Sequence, residues 1–303
     1  VDTVNGLLST NIPLPGITLP IGISFFTFQA LSYVIDVYWE RVEVQKNYFN
    51  ILLYISFFPQ LIAGPIVKYR DINEAIENRV MNADEIAKGL RRFICGLGKK
   101  VLIANTAGLV ADHVFTAAHS KVNFVVAWIG AIAYLMQIYY DFSGYSDMAI
   151  GLGHMFGFHF KENFQYPYGA DSIQEFWRRW HISLGTWMKD YIFYPVSLAK
   201  PVKKIAKEVK GTFGLSVSKF VAPSIALFFV WLGNGIWHGA GWTYLFYGMY
   251  YFVLIFIENI TEESRQKWAQ KHNVDYHKFG WRIFTFVKLF IIINLGEMFF
   301  RAP

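Results

Sequence analysis

The chain has 303 residues, of which 54% are hydrophobic, 19% aromatic and only 17% charged. Soluble domains carry roughly 25% charge and 45–50% apolar residues, so the balance argues against an ordinary soluble globule and for a lipid environment. A net charge of +6 raises nucleic acid as a partner. The basic residues lie between apolar runs, however, and loops beside anionic lipid account for them better.

The first residues, "VDTVNGLLST", have no basic n-region and no cleavage site, so they are not read as a signal peptide. The chain begins without Met and stops at "EMFFRAP"; both ends are read as cuts inside a longer protein. A membrane helix needs about 20 mostly apolar residues. In chain order the expected spans are 20–39, 48–67, 122–140, 220–237, 242–258 and 283–300. Region 86–117 is also apolar but carries Lys88, Arg91, Arg92, Lys99 and Lys100, and is read as an interfacial approach followed by a membrane segment. Pro59, Gln60, Gly64 and Pro65 end the second span with a helix break. The Gly-rich stretch "GYSDMAIGLGHMFGF" (144–158) predicts a broken or re-entrant helix, which needs protein or a cavity around it. Basic clusters at 88–100 and 200–210 are expected as cytoplasmic loops. Together these make an all-α polytopic integral membrane protein with re-entrant and interfacial helices, one domain over 1–303, truncated at both ends.

"EFWRRWHISLGTWMKDYIFYP" (175–195) crowds charges among aromatic residues. Wound as one helix, it gathers Trp177, Trp180, Leu184, Trp187, Met188 and Tyr191 into a stripe, with Arg179, Ser183, Thr186 and Asp190 opposite. His181 falls on the margin of that stripe, and Glu175 is expected to pair with Arg178. The passage predicts an interfacial helix or a cavity rim.

"WLGNGIWHGAGWTYLFYG" (231–248) places His238 in an apolar setting. Gly235 and Gly239 have a spacing that lets helices approach closely, and Asn234 lies one turn before His238, placed to fix its tautomer. An ionisable group inside a membrane is costly, so His238 reads as functional; His181 divides between function and packing. Asp141 and Asp147, beside Ser143 and Ser146, divide between helix capping and lining a polar cavity. His113, His119, His154, His159, His272 and His277 read as surface or boundary residues. Neither His113 with His119 nor His154 with His159 has zinc-signature spacing, so no metal centre is expected. Cys95, the single cysteine, excludes an internal disulfide and reads as a small buried hydrophobe. No GxSxG elbow, P-loop or dinucleotide fingerprint is present.

Four passages, "SFFPQLIAGPIVKYRDI", "YYDFSGYSDMAIGLGHMFGFHFKENFQYPY", "SIQEFWRRWHISLGTWMKDYIFYP" and "GIWHGAGWTYLFYGMYYF", are in order and long. Together they resemble the membrane-bound O-acyltransferase (MBOAT) family, and most closely its bacterial alginate O-acetyltransferase-like branch, from about residue 20 to 260. The resemblance implies a fold of about eleven membrane helices with re-entrant pieces, of which this chain would lack the first and last. It matches the family's invariant histidine to His238 and its second histidine to His181, both at a tunnel through thinned membrane. It further implies an O-acyltransferase in the bacterial cytoplasmic membrane, moving an acetyl group from a cytoplasmic thioester toward hydroxyls of an extracytoplasmic polysaccharide. Transfer is direct or passes through a partner protein. The donor is acyl-CoA or an acyl-carrier phosphopantetheine, with no tightly bound cofactor. Expected roles are His238 as general base and His181 as its assistant. Arg178, Arg179, Lys189, Asn234 and Asp141 are expected around donor or substrate. "DYIFYPVSLAKPVKK" departs from the alginate pattern toward the teichoic-acid D-alanyl transfer branch, which keeps D-alanyl transfer as an alternative. A transporter or channel and a non-catalytic scaffold are the rivals from other classes.

Overall fold

A computed structural model describes residues 9, 22–118, 120, 122–276 and 278–301. The reading of the first residues as no signal peptide, and those of His119 and His277, therefore lie outside the described residues. The regular structure described is helical, and an isolated antiparallel bridge joins Phe164 to Trp180. The helices are α1 Ile23–Tyr38, α2 Tyr48–Ser56, α3 Phe58–Leu61 and α4 Tyr69–Asn78. Next come α5 Ala83–Gly98, α6 Asn105–Phe115, α7 Phe124–Met155, α8 Ile173–Arg179, α9 Ile182–Met188 and α10 Tyr194–Leu198. The last four are α11 Lys200–Phe213, α12 Leu215–His238, α13 Trp242–Lys271 and α14 Phe279–Arg301.

Among the described residues, five helical stretches are long and apolar enough to cross a membrane: Ala83–Phe115, α7, α12, α13 and α14. Large apolar side chains such as Leu102, Leu109 and Phe124 stand exposed on them, as expected where lipid replaces water. The first two expected spans are corrected. The segment 20–39 yields only the short apolar α1. The segment 48–67 is divided into α2 and α3, because Phe57 is extended before Pro59. Region 86–117 falls largely within the candidate span Ala83–Phe115. It forms one stretch with a π-helical insert at Lys99–Ala104, opened by the Asn82 side chain accepting from the Glu85 amide. Its basic residues sit on helix, not in a loop. Likewise 200–210 is not a loop but lies within the exposed, amphipathic α11.

The Gly-rich stretch is no re-entrant piece: α7 runs unbroken through it to Met155. Its glycines instead let α7 lie against α5, since a Cβ on Gly144 would sit 2.7 Å from the Gly96 carbonyl oxygen. Gly144→Val is therefore expected to force these helices apart and cost about 1–3 kcal/mol. Thermal unfolding in detergent should show a lowered midpoint, and an unchanged midpoint would contradict this contact. Cys95 is exposed, not buried, because the Gly96 side of α5 faces α7.

The 175–195 passage is not one helix. α8 ends at Arg179, Trp180 is extended, and His181 takes a left-handed conformation (φ 46°, ψ 53°) before α9 begins. The aromatic residues still turn inward, but into two separate cores. Phe176 and Trp180 join Trp231, Tyr247, Tyr251 and Ile293, whereas Leu184, Trp187, Met188 and Tyr191 meet Ile66 and the flank of α1. Asp190 is held by Lys68 at 2.5 Å and Arg70 at 2.6 Å. The Tyr191 hydroxyl donates to Asp36 at 2.7 Å. Burial alone would raise the Asp190 pKa, but Lys68 and Arg70 outweigh it and leave it lowered. Burial dominates at Lys68, whose pKa falls despite Asp190.

Candidate active site

Asn163 organises the break between α8 and α9. Its backbone carbonyl accepts from the Ile182 amide at 3.0 Å, while the Gln165 amide reaches the Arg179 carbonyl at 3.0 Å. Its side-chain Oδ1 accepts from the Ser183 amide (3.2 Å) and the Ser183 hydroxyl (2.9 Å), and lies 3.1 Å from His181 Nδ1. Its Nδ2 donates to the Ser146 hydroxyl on α7 at 3.0 Å. A carbonyl oxygen can only accept, so His181 Nδ1 carries the proton and its Nε2 carries the lone pair. Nε2 is buried with no hydrogen-bond partner among the described residues. Burial, with the nearby His238 second, holds the imidazole well below the ordinary histidine range and therefore neutral. A left-handed non-glycine residue on this scaffold is the kind of strain that a site retains when its surroundings enforce it.

His238 ends α12. Its ring lies 4.4 Å from that of Trp237 and 4.7 Å from that of Phe300, and the Trp237 ring is also 6.2 Å from His181. Trp237 thus packs near both imidazoles, and both imidazoles line one cavity of about 780 Å³. Trp177, Trp180, Trp231 and Phe142 give that cavity apolar walls, while Asn234, Glu297, Arg178, Lys189 and Asp141 add polar groups. Such a chamber, mostly apolar with a few convergent polar groups, is what a ligand site requires.

The expected site residues meet here with exceptions. Asn234 does not fix His238: its Oδ1 is buried without a partner among the described residues. Gly235 does provide close approach, with its Cα side facing the Tyr244 carbonyl. Asp141 lies within α7 on the cavity wall and pairs with Lys100, so it is not a cap; Asp147 pairs with Arg92 at 2.8 Å and Lys99 at 2.6 Å. Glu175 holds Arg179 at 2.8 Å more closely than Arg178 at 3.4 Å. Arg179 lines a second, polar cavity of about 860 Å³ rather than the histidine chamber. Arg178 borders both cavities. Asn163 faces the polar cavity while touching His181, so the Asn163–His181 pair forms part of the partition. Lys189 is exposed, 5.6 Å from the Tyr194 ring centre.

Sequence reasoning missed two residues. Glu297, 3% exposed, lines the cavity from α14, takes a 3.4 Å hydrogen bond from the Tyr247 hydroxyl and leaves Oε2 without a partner among the described residues. Its signal was available: a lone carboxylate in the apolar run "IIINLGEMFF". Asn163 gave no local signal, since its role arises from contacts with α7 and α9.

Comparison with known proteins bears directly on this site. A family model described as "MBOAT, membrane-bound O-acyltransferase family" matches residues 41–296. The chain belongs to the membrane-bound O-acyltransferase family. It is 41% identical over 306 residues to a "Probable alginate O-acetylase AlgI" of Pseudomonas fluorescens, covering 100% of this chain and 56% of the relative. A "Peptidoglycan O-acetyltransferase" of Helicobacter pylori is 34% identical over 311 residues, covering 94% of this chain and 54% of the relative. A "Teichoic acid D-alanyltransferase" of Bacillus subtilis is 28% identical over 258 residues, covering 83% and 61%. The chain spans about half the length of the acetylating relatives it matches. With its five candidate spans, this family member is a multi-pass protein of the bacterial cell membrane.

Proposed function

We propose that this chain carries the catalytic chamber of an O-acyltransferase that moves an acetyl group from a thioester to hydroxyls of an extracytoplasmic polysaccharide, directly or through a partner protein. The observation that carries the reading is the pair of imidazoles on one largely apolar chamber, one of them locked in a defined tautomer with a free lone pair. The acceptor oxygen attacks the thioester carbonyl and His238 takes the hydroxyl proton. As the tetrahedral intermediate collapses, the C–S bond breaks and the proton passes from His238 to the departing thiolate. Asn234 supplies amide N–H donors for the oxyanion. His181 Nε2 and Glu297 accept hydrogen bonds from neighbouring hydroxyls and hold the acceptor in register. Arg178, the more loosely paired arginine, reaches toward donor phosphates at the polar cavity, whereas Arg179 serves the fold through Glu175. Lys189 at the exposed margin adds positive charge along that approach. Acyl-CoA and an acylated carrier protein present the same phosphopantetheine thioester, and both fit this role.

Acetyl transfer is favoured over D-alanyl transfer because the acetylase-named relatives are more similar and cover more of the chain. The unpartnered Nε2 favours a second assignment of roles, with His181 taking the proton and His238 steadying the oxyanion. Proteoliposomes given labelled acetyl thioester and a saccharide acceptor test the reaction class. Label is expected to pass to the saccharide in proportion to thioester consumed. Saccharide flux without thioester consumption would establish a transporter instead.

A further inference from the structure

Outside the chamber, the structure assigns a divalent metal site to Glu85, His154 and His159. Oε2 of Glu85 lies 3.0 Å from His154 Nδ1 and 3.8 Å from His159 Nδ1, and the two Nδ1 atoms are 3.0 Å apart. Three atoms that each offer a lone pair thus converge on one point. Zinc binds such nitrogen and oxygen ligands at about 2.0–2.1 Å in tetrahedral geometry, which puts neighbouring ligands about 3.4 Å apart. The observed edges bracket that value. A two-histidine, one-carboxylate face suits a first-row divalent ion. His159 is 61% exposed, so the remaining coordination position opens to solvent.

The ligands are positioned by the fold and not by chance encounter of long side chains. Glu85 sits in the first turn of α5, whose entry Asn82 caps. Its other oxygen, Oε1, accepts from Lys88 at 2.8 Å, which orients the carboxylate as outer partners of metal ligands do. His154 closes α7. Gly157, at φ 77°, then reverses the chain, and the Phe158 amide donates to the Gly153 carbonyl at 2.8 Å. That reversal brings His159 back over His154, with ring centres 4.7 Å apart. The five-residue spacing fits no helical zinc pattern, and Glu85 is distant in sequence, so the group emerges only once α5 and α7 are packed. A bound ion would tie these helices to the segment that continues to Asn163, with each imidazole keeping its proton on Nε2 and ligating through Nδ1.

The test uses the detergent-purified protein carrying an affinity tag without histidines, incubated with ZnCl2, desalted and measured by elemental mass spectrometry. About one zinc per chain is expected in the wild type. His154→Ala with His159→Ala should retain less than about a tenth of that, and the exposed His159→Gln alone should weaken affinity about tenfold or more. Co2+ substitution should add visible d–d absorption that the double variant lacks. Wild-type protein without zinc, or variants that retain it undiminished while eluting as folded protein, would overturn the assignment. If the double variant does not fold, His159→Gln decides the matter by the same titration.

Discussion

His238→Ala is expected to lower acyl transfer about a thousandfold, the scale on which a general base contributes, without disturbing insertion or helix content. The ring lies among Trp237, Phe300 and Tyr247, so its removal opens space in a chamber wall and breaks no hydrogen bond on which the fold depends. Initial rates with purified protein, read beside circular dichroism and gel filtration, separate chemistry from folding. A variant that stays within tenfold of wild type would remove His238 from the reaction.

The second large effect concerns His181. His181→Asn is the informative replacement, because asparagine tolerates the left-handed backbone that this position demands, whereas alanine would add strain. The rate is expected to fall about a hundredfold, within the range of lost acid–base or positioning contacts. Asn163→Ala should reproduce much of that loss while also lowering stability by about 1–3 kcal/mol, since it strands the Ser183 groups and frees the imidazole tautomer. The comparison of the two histidine variants decides the roles. A greater loss in His181→Asn than in His238→Ala would assign the proton to His181 and the oxyanion to His238.

Much of the architecture was legible before any coordinates. The later spans were visible because α12, α13 and α14 are long apolar runs, and the breaks at Pro59 and after His238 were marked by proline and glycine. Errors arose where local signals have two physical meanings. Glycines between 144 and 158 read as a broken helix, but they permit close approach to α5, a tertiary cause that the chain does not display locally. The 175–195 passage has a convincing helical stripe, yet it folds as two helices. The bonds from Asn163 to Ile182 and Ser183, together with the Phe164–Trp180 bridge, hold the chain open at His181.

The site was legible to a similar degree. His238 read as functional from an ionisable group in an apolar run, whereas His181 was singled out only by the resemblance; both line the cavity. Among the charged neighbours, Asp190 and Arg179 enter ion pairs within the fold, while Arg178 borders both cavities. What composition could not reveal was the second layer. Asn163 fixes a tautomer from eighteen residues away along the chain, and Glu297 enters from the last helix.

The most direct test of the central claim is the acyl content of the surface polysaccharide. A strain lacking this protein would be complemented with wild type or with His238→Ala, and the polymer measured by mass spectrometry. Acetyl groups are expected to disappear in the deletion, return with wild type and remain absent with His238→Ala at equal membrane abundance. Acetylation restored in full by the variant would contradict the account.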